Sequence, residues 1–162
     1  MSENPYTPPN APIKDRGPEG AGSTVKAVAF GVLTDLVGTT VAGVALLIVF
    51  STILLGQGHT PDSLAAELLD SSTYMVVSLG VGLSFTVLGG YVAARVANRR
   101  EYWHALIVGI IVLVIGELMV SADPTSMPLS IRIIGDLLVV PAALFGAHLR
   151  RTAKERARPA AL

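Results

Sequence analysis

Five ionisable residues within or at the edge of otherwise apolar runs are candidates to carry function: Asp35, Arg95, Glu117, Arg132 and Asp136. An ionised side chain in a bilayer is costly, so such groups face a bundle interior, pair with one another, or line a path for protons and ions. Asp35 belongs to a set of small and polar residues, Gly31, Asp35, Gly38, Thr39 and Ala42, spaced i, i+4, i+7, i+8, i+11. That spacing puts them on one helix face. A face of this kind suits contact with other helices rather than lipid. Arg95, one turn from the end of the second apolar run, is the expected partner of Asp35. The pair either locks two helices together or leaves Asp35 as a carboxylate that binds a proton or cation. Glu117, Arg132 and Asp136 make the second group. Arg132 and Asp136 are four apart and share a face. Glu117 is expected at the same depth on the preceding helix. Two carboxylates around one guanidinium leave one negative charge unless a proton is retained. The group is either a structural triad or a polar site open to the outside that admits a proton, a cation or an amine.

Four apolar runs must position these groups. They cover residues 25–55, 74–96, 103–121 and 129–149. About twenty residues cross the hydrocarbon core at 1.5 Å rise each. The first run is longer and should tilt or reach into the headgroups. Tyr74, Tyr91, Tyr102 and Trp103 fall near the predicted ends, where amphipathic rings prefer the interface. Half the residues are hydrophobic, 51%, and only 15% are charged, against about a quarter in soluble domains. The connections at 97–102 and 122–128 are tight, so consecutive helices should be antiparallel neighbours. Between the first two runs, Thr60 is a candidate N-cap with Pro61 at the first helical position. A short surface helix is expected there, with Leu64 and Leu68 on one face and Asp62, Glu67 and Asp70 toward water.

Charge sets the orientation. Arg132 is the single exception among the 12 Lys and Arg. The others lie before or at the start of the first run (Lys14, Arg16, Lys26), at the end of the second or between it and the third (Arg95, Arg99, Arg100), or after the fourth (Arg150, Arg151, Lys154, Arg156, Arg158). Basic residues resist translocation, so these flanks are expected in the cytoplasm, with both termini. Formal net charge is zero, but the zero hides this segregation. It gives no concentrated basic face of the kind nucleic acid requires.

The chain divides into a Pro- and Gly-rich tail (1–24), expected to be disordered and to sample polyproline II, a transmembrane domain (25–150) and a basic tail (151–162), expected to lie on anionic lipid. The apolar run starts too late and is too long for a cleaved secretory signal. Pro141 interrupts the fourth run one turn beyond Asp136 and frees the carbonyl of Leu137. Gly80, Gly82, Gly89 and Gly90, the Ser78-x-x-x-Gly82 and Ala142-x-x-x-Gly146 pairs, and Gly109 with Gly116 predict close helix contacts, within one bundle or between two copies. There is no cysteine. His104 and His148, near the cytoplasmic ends of runs three and four, are expected to approach each other in interfacial polar roles. They lack the carboxylates of a metal site. No phosphate loop, HExxH or nucleophile elbow occurs. No catalytic, cofactor-binding or metal-ligating residue is assigned, and no enzyme activity is expected.

Asn4-Pro5-Tyr6-Thr7-Pro8-Pro9 resembles a short leader found on many small bacterial inner-membrane proteins. Gly89-Gly90-Tyr91-Val92-Ala93-Ala94-Arg95, His104 to Gly109, and Gly31-Val32-Leu33-Thr34-Asp35 look like stretches of uncharacterised four-span bacterial membrane proteins, in which the position of Ala94 is often Gly. The resemblance implies an inner-membrane protein and supplies no substrate. Small multidrug-resistance exporters also have four spans and a carboxylate in the first. This chain is longer and carries more intramembrane charge.

The sequence therefore predicts an all-α, antiparallel four-helix transmembrane bundle. Its first expected role is a structural or accessory membrane component. The alternatives are a small proton- or cation-coupled transporter using its intramembrane carboxylates, and an anchor that recruits a cytosolic partner through its Pro-rich leader. The expected partners are the lipid bilayer and a second copy or a larger membrane complex, with no nucleic acid.

Overall fold

The computed structural model describes residues 23–122 and 128–157. The expectations for the leader, for most of the 122–128 turn and for the last residues of the basic tail lie outside them. The described chain forms five helices: α1 (Thr24–Gly56), α2 (Leu64–Asp70), α3 (Ser72–Ala97), α4 (Glu101–Ala122) and α5 (Leu129–Arg156). All but α2 are long and apolar enough to cross a membrane. No strand occurs among the described residues. The chain is an all-α, multi-pass membrane protein. Its four long helices run up and down, so both ends of the helical domain lie at one end of the bundle. That end carries Lys26, Arg99, Arg100 and Arg150 and is called the basic end below. α2 marks the far end.

Local chemistry sets the helix limits. The Ser71 side chain caps α3 by accepting a bond from the Tyr74 N–H at 3.3 Å. Asn98 ends the helix in the left-handed region, φ 52°, and Arg100 follows at φ 48°. Asn tolerates that conformation because its short polar side chain bonds locally, whereas Arg pays for its Cβ. Thr60 does not cap α2. The Ser63 N–H donates to the Thr60 carbonyl at 3.0 Å, which closes a turn of its own, and the helix starts at Leu64. Leu68 is buried as expected. His59 Nδ1 lies 3.3 Å from Glu67 Oε1 across the loop.

α5 runs on to Arg156, well past 149, where the span was expected to end. Its last turns consist of good helix formers. Arg151 Nε donates to Glu155 Oε1 at 3.0 Å one turn on. Lys154 Nζ donates to Asn98 Oδ1 at 3.0 Å and lies 3.3 Å from Glu101 Oε1. The start of the basic stretch is thus helix docked on the α3–α4 turn.

Around the bundle the long helices follow the order α1, α3, α5, α4. α3 and α4 also touch across the short diagonal, and no contact joins α1 to α5 among the described residues. Consecutive helices are antiparallel neighbours, as predicted. The ring also puts α3 beside α5, and α1 beside α4, as parallel pairs. Small residues explain this order. A Cβ on Gly31 would stand 2.8 Å from the Gly89 carbonyl oxygen, and one on Gly89 would stand 2.7 Å from that of Gly31. A Cβ on Gly90 would collide with the Ala143 carbonyl, and one on Gly146 with that of Val87. Without a hydrophobic force between helices in lipid, close backbone packing of this kind is what associates them. Every one of these crossings lies in the half toward the basic end. The core there is Ala27, Ala93, Ala94, Ala97, Ala105, Ala143 and Ala147, and Val108 is its largest fully buried side chain. Large apolar side chains such as Val41, Ile48, Met119 and Leu137 point outward, where lipid would solvate them.

Candidate functional site

Beyond the Gly31–Gly89 crossing the bundle opens. A cavity of 290 Å³ lies between the four long helices in the half away from the basic end. Each helix supplies part of its wall: Asp35 and Thr39 from α1, Ser78, Gly82 and Thr86 from α3, Leu113 and Gly116 from α4, Asp136 and Val139 from α5. Gly82 and Gly116 have open space where a side chain would stand. The missing side chains are part of what makes the cavity.

Asp35 forms the floor. It is only 3% exposed, and the Gly89 crossing seals the bundle directly beneath it, a Cβ on Gly89 standing 3.2 Å from the Asp35 Cβ. Thr86 stands beside its carboxylate. Asp35 Oδ1 is buried with no hydrogen-bond partner, and so is the Ser78 hydroxyl on the same cavity wall. A buried polar atom without a partner costs about 1–3 kcal/mol, more when it is charged. Both atoms lie on residues that line this one cavity.

The expected Asp35–Arg95 pair is absent. Arg95 is exposed in the last turn of α3 and joins no ion pair among the described residues. Helix geometry gives the reason. Ala93 faces α1 at Gly31, and two residues further on the helix has turned by about 200°. Arg95 therefore points away from α1. It also lies about 9 Å closer to the basic end than Gly89, at 1.5 Å per residue. Matching depths along two helices is insufficient when the side chains leave on opposite faces.

The second group assembles. Arg132 Nε donates to Glu117 Oε1 at 3.0 Å, and a second guanidinium nitrogen donates to Oε2. This is the two-pronged geometry of a guanidinium on a carboxylate, and it ties α4 to α5. Asp136 is also a neighbour of Glu117. Asp136 faces the cavity as well, so the triad touches the same space as Asp35. The sequence separated these two groups, and the bundle joins them through one cavity. Three carboxylates against one guanidinium leave a formal excess of two negative charges around it. In a low-dielectric setting that excess must be met by protons or by cations.

Thr86 escaped attention in the sequence. Its signal was there: Ser78, Gly82 and Thr86 follow i, i+4, i+8 spacing, the same device that singled out the stripe on α1. His104 and His148 do not meet. His104 Nδ1 donates to the Arg100 carbonyl at 3.1 Å, leaving Nε2 to face the Thr24 hydroxyl at 3.4 Å. His148 Nδ1 shares a hydrogen bond with the Tyr102 hydroxyl at 3.1 Å. Both stitch the basic end of the bundle. Pro141 sits inside α5, which continues through it as one helix. Among the described residues no three His, Asp or Glu side chains converge as metal ligands.

A second concavity of 590 Å³ lies at the basic end. Arg99, Arg100, Trp103, Arg151 and Lys154 are among its lining residues. Arg151 and Lys154 are already paired with Glu155 and Glu101. No protein-family model, curated protein or solved structure matches the chain.

Proposed function

We propose that the protein is a small proton- or cation-coupled transporter of the bacterial inner membrane, with both termini in the cytoplasm. The carrying observation is the cavity between the four helices, with the unpartnered Oδ1 of Asp35 at its floor. Orientation rests on the Lys and Arg gathered at one end of the bundle. The cavity then faces the outer half of the membrane, and the small-residue crossings close it toward the cytoplasm. The half-open arrangement is one of the two that alternating access requires, with the site near mid-membrane.

The chemistry asked of each residue is simple. Asp35 binds a proton or a cation at the end of the cavity. Asp136 does the same nearer the entrance. Glu117 and Arg132 hold Asp136 in place and join α4 to α5. Thr39 and Ser78 supply hydroxyl groups that donate to a carboxylate or accept from a bound N–H, and Thr86, whose hydroxyl donates to the Gly82 carbonyl at 3.2 Å, supplies an acceptor.

The accessory role is the competing reading. The Glu117–Arg132 clamp favours it, because a bidentate pair between two helices serves stability whether or not anything is transported. Reconstitution separates the two. Purified protein in liposomes enclosing a pH-sensitive dye is given an inward gradient of Na⁺ or of a small alkylammonium ion. A transporter moves protons outward in response, and Asp35→Asn abolishes the movement while thermal unfolding in detergent is unchanged. An accessory protein gives no such movement, and Asp35→Asn lowers its cellular abundance instead.

A further inference from the structure

We infer that the cavity takes a short linear diammonium ion, one amino group on Asp35 and the other on Asp136, with the carbon chain along the apolar wall between them. The inference deepens the transport reading and rests on it. Three observations carry it.

The first is size. A water occupies about 30 Å³ of the liquid, so 290 Å³ is room for roughly ten. A bare inorganic cation needs a close shell of about six oxygens at 2–2.6 Å. The polar groups on this wall come from four helices, with Leu79, Leu83, Leu113 and Val139 among them. They do not close around a point. They suit a ligand with polar ends and an apolar middle.

The second is spacing. Gly31 and Gly89 mark one level, and Asp35 lies four residues, about 6 Å, beyond it toward the far end. The contacts of Gly90 with Ala143 and of Gly146 with Val87 put the middle of 143–146 level with the middle of 87–90. Asp136 lies about 13 Å beyond that level toward the far end. The two carboxylates are therefore offset by roughly 7 Å along the bundle, and they stand on helices at opposite corners of the ring. A diammonium chain of about four to six carbons spans such a diagonal, with N–H···O contacts of about 2.8 Å at each end.

The third is charge. The excess of two negative charges around the cavity matches a dication. In its absence two protons fill the same role, one on Asp35 and one between Asp136 and Glu117. Binding the diammonium ion releases both, so exchange of ligand for protons carries no net charge. The Ser78 hydroxyl, buried without a partner on the same wall, accepts a further N–H from the ligand.

The test is calorimetric titration of the purified full-length protein in mild detergent with 1,4-diaminobutane, butylamine, 1,2-diaminoethane and Na⁺. Each titration is repeated in two buffers of different ionisation heat to count released protons. The expected result is 1,4-diaminobutane at least about tenfold tighter than either shorter or singly charged amine, a step of 1.4 kcal/mol, with about two protons released. Asp35→Asn and Asp136→Asn each reduce diaminobutane to the butylamine level. Gly82→Leu, which fills the space and leaves both carboxylates in place, also loses binding and keeps the inference testable if Asp136→Asn fails to fold. Equal binding of butylamine and diaminobutane overturns it, as does diaminobutane binding that survives Asp35→Asn. Sodium-driven proton movement in liposomes with no amine binding would sink this inference and leave the transport reading standing. Failure of both sinks both.

Discussion

The two halves of the bundle use the same backbone geometry to opposite ends. In the basic half, glycine faces backbone: Gly31 meets Gly89, Gly90 meets Ala143, and Gly146 meets Val87. In the far half, Gly82 and Gly116 face nothing, and the room they leave is the cavity. The first half is closed, apolar and cemented by alanines. The second is open, and it holds the triad and Asp35. A glycine in a membrane helix therefore serves either contact or vacancy, and the sequence alone does not say which. What decides is whether the neighbouring helix is at its crossing point or has already diverged from it.

The largest effect expected comes from adding bulk on the closed side. Gly90→Leu drives carbon into the Ala143 carbonyl, a backbone atom that cannot turn aside. Overpacking costs typically 1–3 kcal/mol, occasionally more, and here the upper end is expected. The measurement is thermal unfolding in detergent, with loss of the monodisperse peak on size exclusion. Gly82→Leu is the counterpart on the open side. It should leave the unfolding temperature the same or slightly higher, since leucine also favours helix over glycine. If both variants unfold alike, the contrast between the halves is wrong.

Arg132→Gln should come next. It leaves Glu117 and Asp136 facing each other without their cation, so the unfolding temperature falls, and falls further at alkaline than at acid pH because a proton can replace the guanidinium. The double variant Glu117→Gln with Arg132→Gln should recover part of the loss, since breaking one partner of a pair is worse than removing both. The smallest effect should be a gain. Arg100→Gly relieves a left-handed residue in the α3–α4 turn. It should raise stability by up to about 1 kcal/mol, less whatever the freer unfolded chain takes back. No gain would mean that the left-handed backbone at Arg100 costs nothing that glycine relieves.

Much of the fold was legible. Four apolar runs of the right length, broken where basic or turn residues gather, gave four helices within a few residues of where they lie. The charge that begins at Arg150 marks the limit of the apolar span but not of the helix, which runs to Arg156. Arginine, alanine, lysine and glutamate continue a helix in water as well as in lipid, and Lys154 needed Asn98 and Glu101 to dock on, which only the tertiary fold supplies. The Glu117–Arg132–Asp136 group was readable because a tight connection fixes both depth and facing. Asp35 and Arg95 lie on helices joined by a longer connection, which leaves the rotational phase of one helix against the other unspecified. The cavity was legible only as parts. Nothing in one dimension says that Asp35 and Asp136 look into the same space, because that depends on the order of helices around the ring.

The backbone-to-backbone crossings lie in the basic half, with Phe85 seated against Gly38 just beyond them, and such a set of crossings would act as a fulcrum. From Gly31 to Gly56, α1 extends about 37 Å beyond its crossing with α3. A rocking of roughly 5° about that point would swing the tip by about 3 Å, enough to widen or shut an entrance while the pivot itself hardly stirs. The edge-on contact of Phe50 with Tyr74, centroids 5.2 Å apart, sits far out on that arm. Such a swing would part the two rings.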